Sequence, residues 1–319
     1  MTPTQLRAYA AVVRLGSVKK AAADLGVSES AVSLHVGQLR KELGDPLFHR
    51  TGSGLAFTPG GLRLASRAAE MLGLQDRTIL EVSQAGGGRR LLRVAASSLF
   101  AEHAAPGLIE LFASRSDDLD VELSVHGPRH FPSVLSTRTV DVAIGPGPVV
   151  ADPSISVKPF LNYQVVAVVA PEHPVARTRP SQDLLREQTW LLGPSGAGGA
   201  GLVPEIVRRV SVPDRHQRIF QSHAAAIEEA KRNRGIALAV GFAVARDLAT
   251  GDLVRVDSSV LQAEGTWTTQ VLADRGAVSS AAAELTRFVS TPRATRAMVR
   301  GSGVTAGRFR PSVHVTLWS

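Results

Sequence analysis

Apolar residues recur at helical spacing through three short segments at the start of the chain, Thr4–Leu15, Val18–Leu25 and Glu29–Leu43. Ser17 and Ser28 each stand just before a segment, where a hydroxyl can accept from free backbone N–H groups. Gly26 lies between the second and third segments, where a tight turn needs a permissive backbone. A much longer helix is predicted over Pro59–Gln84, with Thr58 as N-cap and Pro59 in the first helical position. It carries two near-heptad stripes: Leu62, Ala65, Ala69, Leu72 and Ile79, and beside them Leu64, Ala68, Met71, Thr78 and Val82. A lone helix cannot hide both stripes against so short a neighbour, so it reads as a pairing helix between two copies of the chain. Gly86-Gly87-Gly88 then ends it as a hinge.

From Arg89 the pattern changes. Strand-like segments at Leu91–Ala96, Val121–His126, Val140–Ile144, Val165–Ala170, Trp190–Leu192, Ile236–Val240 and Thr268–Leu272 alternate with helix-like ones. The latter are Phe100–Ser114, Ser133–Thr137, Leu202–Arg209, Ala224–Arg234 and Ala281–Val289. Such alternation predicts a mainly parallel sheet covered by helices on both faces, in two small units. After Thr291 the chain is rich in Arg, Gly and Pro without periodicity, which predicts a mobile tail with a short strand at Val313–Leu317. The expected organisation is therefore an all-α head at 1–58, a linker helix and hinge at 59–88, an α/β region at 89–290 and a basic tail at 291–319.

Charge sharpens this division. The 319 residues carry a net +8, but unevenly. Residues 1–90 hold 12 Lys and Arg against 7 Asp and Glu, residues 91–290 hold 19 against 21, and residues 291–319 hold 5 against none. Basic ends on a nearly neutral middle suggest a polyanionic partner for the ends. The absence of cysteine excludes disulfides, Cys-ligated metal sites and thiol chemistry. The longest apolar run, Ile236–Ala245, has ten residues, half of what a bilayer requires, and no signal-peptide core follows Met1. A soluble cytoplasmic protein without membrane contact is expected. The nine histidines lack metal-ligand spacing, and neither a Gly-x-Ser-x-Gly elbow nor a Rossmann glycine fingerprint occurs. No catalytic residue, metal or cofactor is expected. A periplasmic solute-binding protein would account for 89–290 but leave 1–84 without a role. A purely architectural DNA-binding protein would account for the charge but not for the α/β region.

The strongest local signal lies between Ser17 and Leu39. Ala22, Gly26 and Val32 have the spacing of a helix-turn-helix: a small residue where two helices cross, a glycine at the turn, a β-branched residue sealing the angle. Val32, Val36, Leu39 and Leu43 form the inward stripe of the third helix. Its other face, with Glu29, Ser30, Ser33, Leu34 and His35, is left for the major groove. Serine hydroxyls can bond phosphate or base edges, Glu29 can accept from a cytosine amino group, and Leu34 can touch a thymine methyl. Arg50 to Leu55 reads as a Gly-rich hairpin wing with Arg50 placed for a phosphate. The candidate DNA-contacting set is completed by Ser17, Ser28 and Ser53.

Many residues agree here in order and spacing: Tyr9-Ala-Ala-Val-Val13, Gly16-Ser17, Ala21-Ala-Ala23, Leu25-Gly-Val-Ser28, Ala31-Val-Ser33, Leu39, Glu42-Leu-Gly44, Pro46-Leu-Phe48, Arg50 and Phe57-Thr-Pro-Gly-Gly61. The first 85 or so residues thereby resemble the N-terminal region of LysR-type transcriptional regulators. The rest is similar in layout, as at Val140-Asp-Val-Ala-Ile144 and Gly235-Ile-Ala-Leu-Ala239. The resemblance implies a winged helix-turn-helix and a long linker helix, followed by a two-subdomain effector domain similar in fold to periplasmic binding proteins. It implies a homodimer or homotetramer on a near-palindromic promoter site in double-stranded DNA, with RNA polymerase as a further partner. Glu29-Ser30 stands where the family often has Gln-Pro, and Leu34 where it has Arg, which predicts altered base preference. The effector, a small molecule bearing a carboxylate, is expected beyond the C-terminal ends of the strands. By the resemblance, Ser97, Ser98, Arg129, His130, Ser195 and Ser222 are the candidate contacts. The loop Gly193–Gly199 is not a phosphate loop, since no Gly-Lys-Ser/Thr follows its glycines.

Overall fold

Three helices, α1 (Pro3–Leu15), α2 (Val18–Leu25) and α3 (Glu29–Leu43), open the chain in a computed structural model that describes residues 1–52, 54–87, 89–197, 201–273 and 278–300. Their apolar stripes meet in one small core, in which Tyr9, Val12, Ala21, Val32 and Leu39 are closed to solvent. Ser17 caps α2 by accepting from the Lys20 N–H at 3.3 Å, and Ser28 caps α3 by accepting from the Ala31 N–H at 3.2 Å. Gly26 takes a left-handed φ of 65°, which ends α2 and turns the chain into α3. β1 (Phe48–Thr51) and β2 (Gly54–Phe57) pair antiparallel as a wing. Arg40 ties α3 to it: its guanidinium lies 4.3 Å over the Phe48 ring and donates to the Phe48 carbonyl at 3.0 Å.

α4 (Pro59–Gly87) starts at Thr58, whose hydroxyl accepts from the Gly61 N–H at 2.8 Å. Neither predicted stripe is buried as a whole. Leu64 and Ala65 pack on the core of the first three helices and Ala68 is fully buried, whereas Leu62, Met71, Leu74, Ile79 and Val82 are exposed. The helix continues three residues past the predicted end, so that Gly86 and Gly87, expected in a hinge, are helical. Gly88 and Ser53 lie outside the described residues.

The chain divides into two compact units, the first comprising Met1–Gly87 with Ser136–Thr139 and the second the remainder. In the second, a single mixed sheet of nine strands runs through two lobes. In lobe I, β3 (Arg90–Ala96) lies between β4 (Leu119–Val125) and β5 (Val142–Pro146), all parallel, with α5 (Ser98–His103), α6 (Ala105–Ala113) and α7 (Phe131–Ser136) in the connections. In lobe II, β7 (Trp190–Leu192) lies parallel between β8 (Gln217–Ile219) and β9 (Ile236–Val240). α8 (Gln182–Arg186) and α9 (Leu202–Val210) flank β7 in sequence, and α10 (His223–Lys231) joins β8 to β9. α11 (Ala245–Thr250) and β10 (Val254–Arg255) follow. Two long strands cross between the lobes: β6 (Ile155–Val169) and β11 (Ala263–Leu272) pair antiparallel from Val165↔Ala263 to Ile155↔Leu272. α12 (Ser280–Phe288) returns to lobe I.

Three differences from the sequence reading have physical causes. The helix expected over Phe100–Ser114 is broken at Ala104, because Pro106 lacks the N–H that would bond the Glu102 carbonyl. The crossing strands are longer than predicted, since the stretch of β6 that leaves the core is mostly exposed and shows no apolar run. The tail expected to be mobile after Thr291 begins as a helix, α13 (Pro292–Arg300), capped by Thr291 and packed on α6 through buried Ala294, Ala297 and Met298. Its exposed Arg293, Arg296 and Arg300 hid a short apolar face made largely of alanine. The strand expected at Val313–Leu317 lies outside the described residues.

Candidate DNA-reading face and effector cleft

Because α3 buries Val32, Val36 and Leu39, its opposite side is fixed by the 3.6-residue period. Glu29, Ser30, Ser33, Leu34 and Gly37 are all exposed there, Leu34 with 59% of its surface open to solvent. A large aliphatic side chain left in water on an otherwise polar helix face has no role in the core beneath it. Ser28 and Ser30 approach each other at 2.9 Å, so the hydroxyls at this helix end form a cluster beside the exposed Glu29. His35 sits at the edge of the face, half-buried, with its Nδ1 closed to solvent and unpartnered. Arg50 is exposed on the wing, and Lys19 and Lys20, which the sequence reading did not single out, are exposed on α2. Ser17 is half-buried and occupied as a cap.

The second unit holds a cleft of about 170 Å³ at the ends of β3 and β7, where the two lobes face each other. Ser97 and Ser98 line it from lobe I and Ser195 from lobe II. Ser97 occupies the cap position of α5 but makes no capping bond, and its buried Oγ is unpartnered. Among the described lining residues there is no Asp or Glu; Leu99, Val125, Leu202, Val203 and four prolines supply apolar wall. His126 lines the cleft with its Nε2 3.1 Å from the Ser124 hydroxyl, and burial, then the nearby His130, pushes its imidazole below the ordinary value. Tyr163 forms part of the floor, stacked 4.3 Å from buried Trp267, and burial pushes its phenol up to about 12.

The six candidates are not brought together as a set. Ser97, Ser98 and Ser195 converge, but Arg129 and His130 fall on an exposed turn beside the cleft rather than among its described lining residues. Ser222 caps α10, accepting from the Ala225 N–H at 3.1 Å. The residue next to it matters more. His223 is 1% exposed, and its Nε2 lies 3.4 Å from the Ser98 hydroxyl and 3.3 Å from that of Ser195. From sequence the segment Gln221-Ser222-His223 is a candidate cleft loop, but the place of the ring between two serines is set only once the other lobe is there.

Burial holds the His223 imidazole down to about 4 from the ordinary 6.5, against the opposing pull of the Glu102 charge. The unfolded chain therefore takes up a proton at this histidine before the folded one does, so stability rises with pH between about 4 and 6.5 and is fully present above that window. Acidification across it is expected to lower the stability of the second unit by a term on the order of 3 kcal/mol, seen as a lower unfolding midpoint. Fluorescence of Trp190 and Trp267, both buried in that unit, reports it. His223→Gln should flatten the slope, and an identical slope in that variant would refute the assignment.

A helix-turn-helix with an unspent outer face, on the same chain as a hinged two-lobed body with a central cleft, defines the class: DNA-binding transcription regulators that carry an effector-binding domain. Comparison with known proteins narrows this. Residues 3–62 match the bacterial regulatory helix-turn-helix protein, lysR family, and residues 85–291 match the LysR substrate binding domain. The chain belongs to the LysR family, a family of transcriptional regulators and not of enzymes. It is 59% identical over 322 residues, across the full length of both chains, to an HTH-type transcriptional regulator of Mycobacterium tuberculosis strain H37Rv. Two solved structures share its fold. ArgP from Mycobacterium tuberculosis has a TM-score of 0.59 at 20% identity, covering 93% of this chain and 97% of that one. Full-length LysG from Corynebacterium glutamicum with bound effector Arg has a TM-score of 0.56 at 22% identity, covering 91% and 97%. Among the described residues, no helix is long and apolar enough to cross a membrane, and no three His, Asp or Glu side chains are grouped to hold a metal ion.

Proposed function

We propose that the chain works as a symmetric pair joined through α4, reads a near-palindromic promoter site with α3, and is switched by a small monocarboxylate bound in the cleft, with RNA polymerase as the downstream partner. The observation that carries the effector reading is the lining of the cleft. Ser97 Oγ is buried without a partner and can donate, the Ser98 and Ser195 hydroxyls stand beside it against His223 Nε2, and no acidic group opposes an anion among the described lining residues. An unpaired buried hydroxyl is costly, and a ligand oxygen satisfies it. The absence of Arg and Lys from the described lining, with apolar wall around the serines, favours one carboxylate on a small apolar body over a polyanion.

On the DNA side, Glu29, Ser30, Ser33 and Leu34 read bases, while Arg50 and the caps at Ser17 and Ser28 lie where phosphates run. Two-fold symmetry requires half-sites about one helical turn, or a multiple of it, apart. Selecting genomic fragments on the immobilised protein tests this. Enriched fragments should share an inverted repeat, and a panel of monocarboxylates should alter their footprint. Recovery of fragments without a common motif overturns the promoter reading; a footprint indifferent to every carboxylate, but responsive to another class of metabolite, overturns the effector reading.

A further inference from the structure

We propose that Glu102 is a built-in anion that fills the N-terminus of α10 and clasps the two lobes shut before any effector arrives. α10 is a nine-residue helix of lobe II, and its first-turn N–H groups are the natural place for an external carboxylate to bind. That place is taken. The Glu102 carboxylate, reaching from α5 of lobe I, accepts from the His223 N–H at 2.7 Å and from the Ala224 N–H at 2.5 Å. Ser222 accepts from the Ala225 N–H with its hydroxyl, and from the Ala226 N–H with its carbonyl. No first-turn donor of α10 is left over.

A second link between the lobes runs through the same helix end. The Glu102-bonded N–H belongs to His223, whose Nε2 stands between the Ser98 hydroxyl of lobe I and the Ser195 hydroxyl of lobe II. The ring cannot back away, because Gly193 lies close against it; a methyl group there would clash with Nδ1. Glu102 and His223 are thus positioning residues. The carboxylate fixes the helix end, the helix end fixes the imidazole, and the imidazole sets the two serine rotors that face the cleft. A negative charge on two N–H groups at a helix N-terminus is favoured by both the charge-assisted bonds and the helix dipole.

This deepens the reading of the cleft as an effector site, and has one consequence for it. An incoming carboxylate finds the α10 terminus already neutralised and is left with the hydroxyls of Ser97, Ser98 and Ser195. Effector binding then adjusts lobes that are already together instead of drawing open lobes closed, so that its differential grip on the two arrangements, not closure itself, is the signal.

The test needs neither effector nor DNA, so its failure would leave the proposed function standing. The chain has no cysteine, so nitroxide labels can be placed cleanly at Asp117→Cys in lobe I and Glu187→Cys in lobe II, both exposed. The labelled full-length chain is diluted in an excess of the unlabelled one, and the intramolecular distance distribution is measured by pulsed dipolar spectroscopy. A single short distance is expected with Glu102 intact. Glu102→Gln keeps the shape but not the charge and should add a longer population. Glu102→Ala should lose the short distance as the main one, and acetate should restore it where chloride at equal ionic strength does not, and should do so equally when Ser97→Ala is added, which separates the α10 terminus from the cleft. A vacated anion site predicts that rescue; a merely structural glutamate does not. Circular dichroism confirms that each variant is folded. An unchanged distribution in Glu102→Ala, or an opening that acetate fails to reverse, overturns the proposal.

Discussion

Ser33→Ala combined with Leu34→Asp abolishes sequence-specific DNA binding while the N-terminal unit stays folded. Both positions are exposed on the side of α3 opposite Val32, Val36 and Leu39, so neither substitution removes an atom from the core. The loss on DNA has two parts. The serine hydroxyl and the leucyl methyl groups each offer a contact to a base edge, and a good base contact is worth about 1–3 kcal/mol. The new carboxylate also enters a groove flanked by phosphates, where its charge is repelled whatever the sequence. Together these lower specific affinity by at least about a hundredfold. Footprinting on a selected site, with circular dichroism as the fold control, checks the claim. A retained footprint would show that α3 does not enter the groove by this face.

The reach of the sequence reading varies with how local the cause of each feature is. Residues 1–43 were legible because caps, turn glycine and inward stripe all sit within a few residues of one another, and Ser17, Gly26, Ser28 and Val32 each do locally what their residue type favours. Short buried strands such as Ile236–Val240 were legible for the same reason, their apolar run being bounded by glycines. The crossing strand β6 was legible only in its last third, because its outer stretch is held by pairing with β11, about a hundred residues further on, and not by burial. α13 was missed because alanine and methionine make a core face only when α6 is there to receive them. In the cleft, Ser97, Ser98 and Ser195 could be proposed from strand ends. Glu102 could not, and His223 only as part of the candidate loop Gln221–His223, since their bond spans 121 positions and Glu102 looks like ordinary helix surface until the two lobes are joined.

Ile79→Lys with Val82→Lys breaks the pair of chains. Past Ala68, no described side chain of α4 is fully buried, yet Met71, Leu74, Ile79 and Val82 lie along this stretch, the last two with 60% and 69% of their surface in water. A helix of 29 residues is about 43 Å long, far more than three short helices can cover. Its exposed apolar residues gain about 25 cal/mol for each Å² removed from water, and a second copy of the same helix offers a matching surface under two-fold symmetry. Two lysines on that surface must either be desolvated or hold the helices apart, and both outcomes oppose association. The mass measured by light scattering is expected to fall to that of a smaller assembly. Affinity for a two-half-site duplex should fall by about a hundredfold or more, because the second recognition helix loses the high effective concentration that pairing gives it. Binding to an isolated half-site should change little, since Ile79 and Val82 are well outside the helix-turn-helix. An unaltered mass would remove α4 as the pairing element and place the symmetry axis elsewhere on the chain.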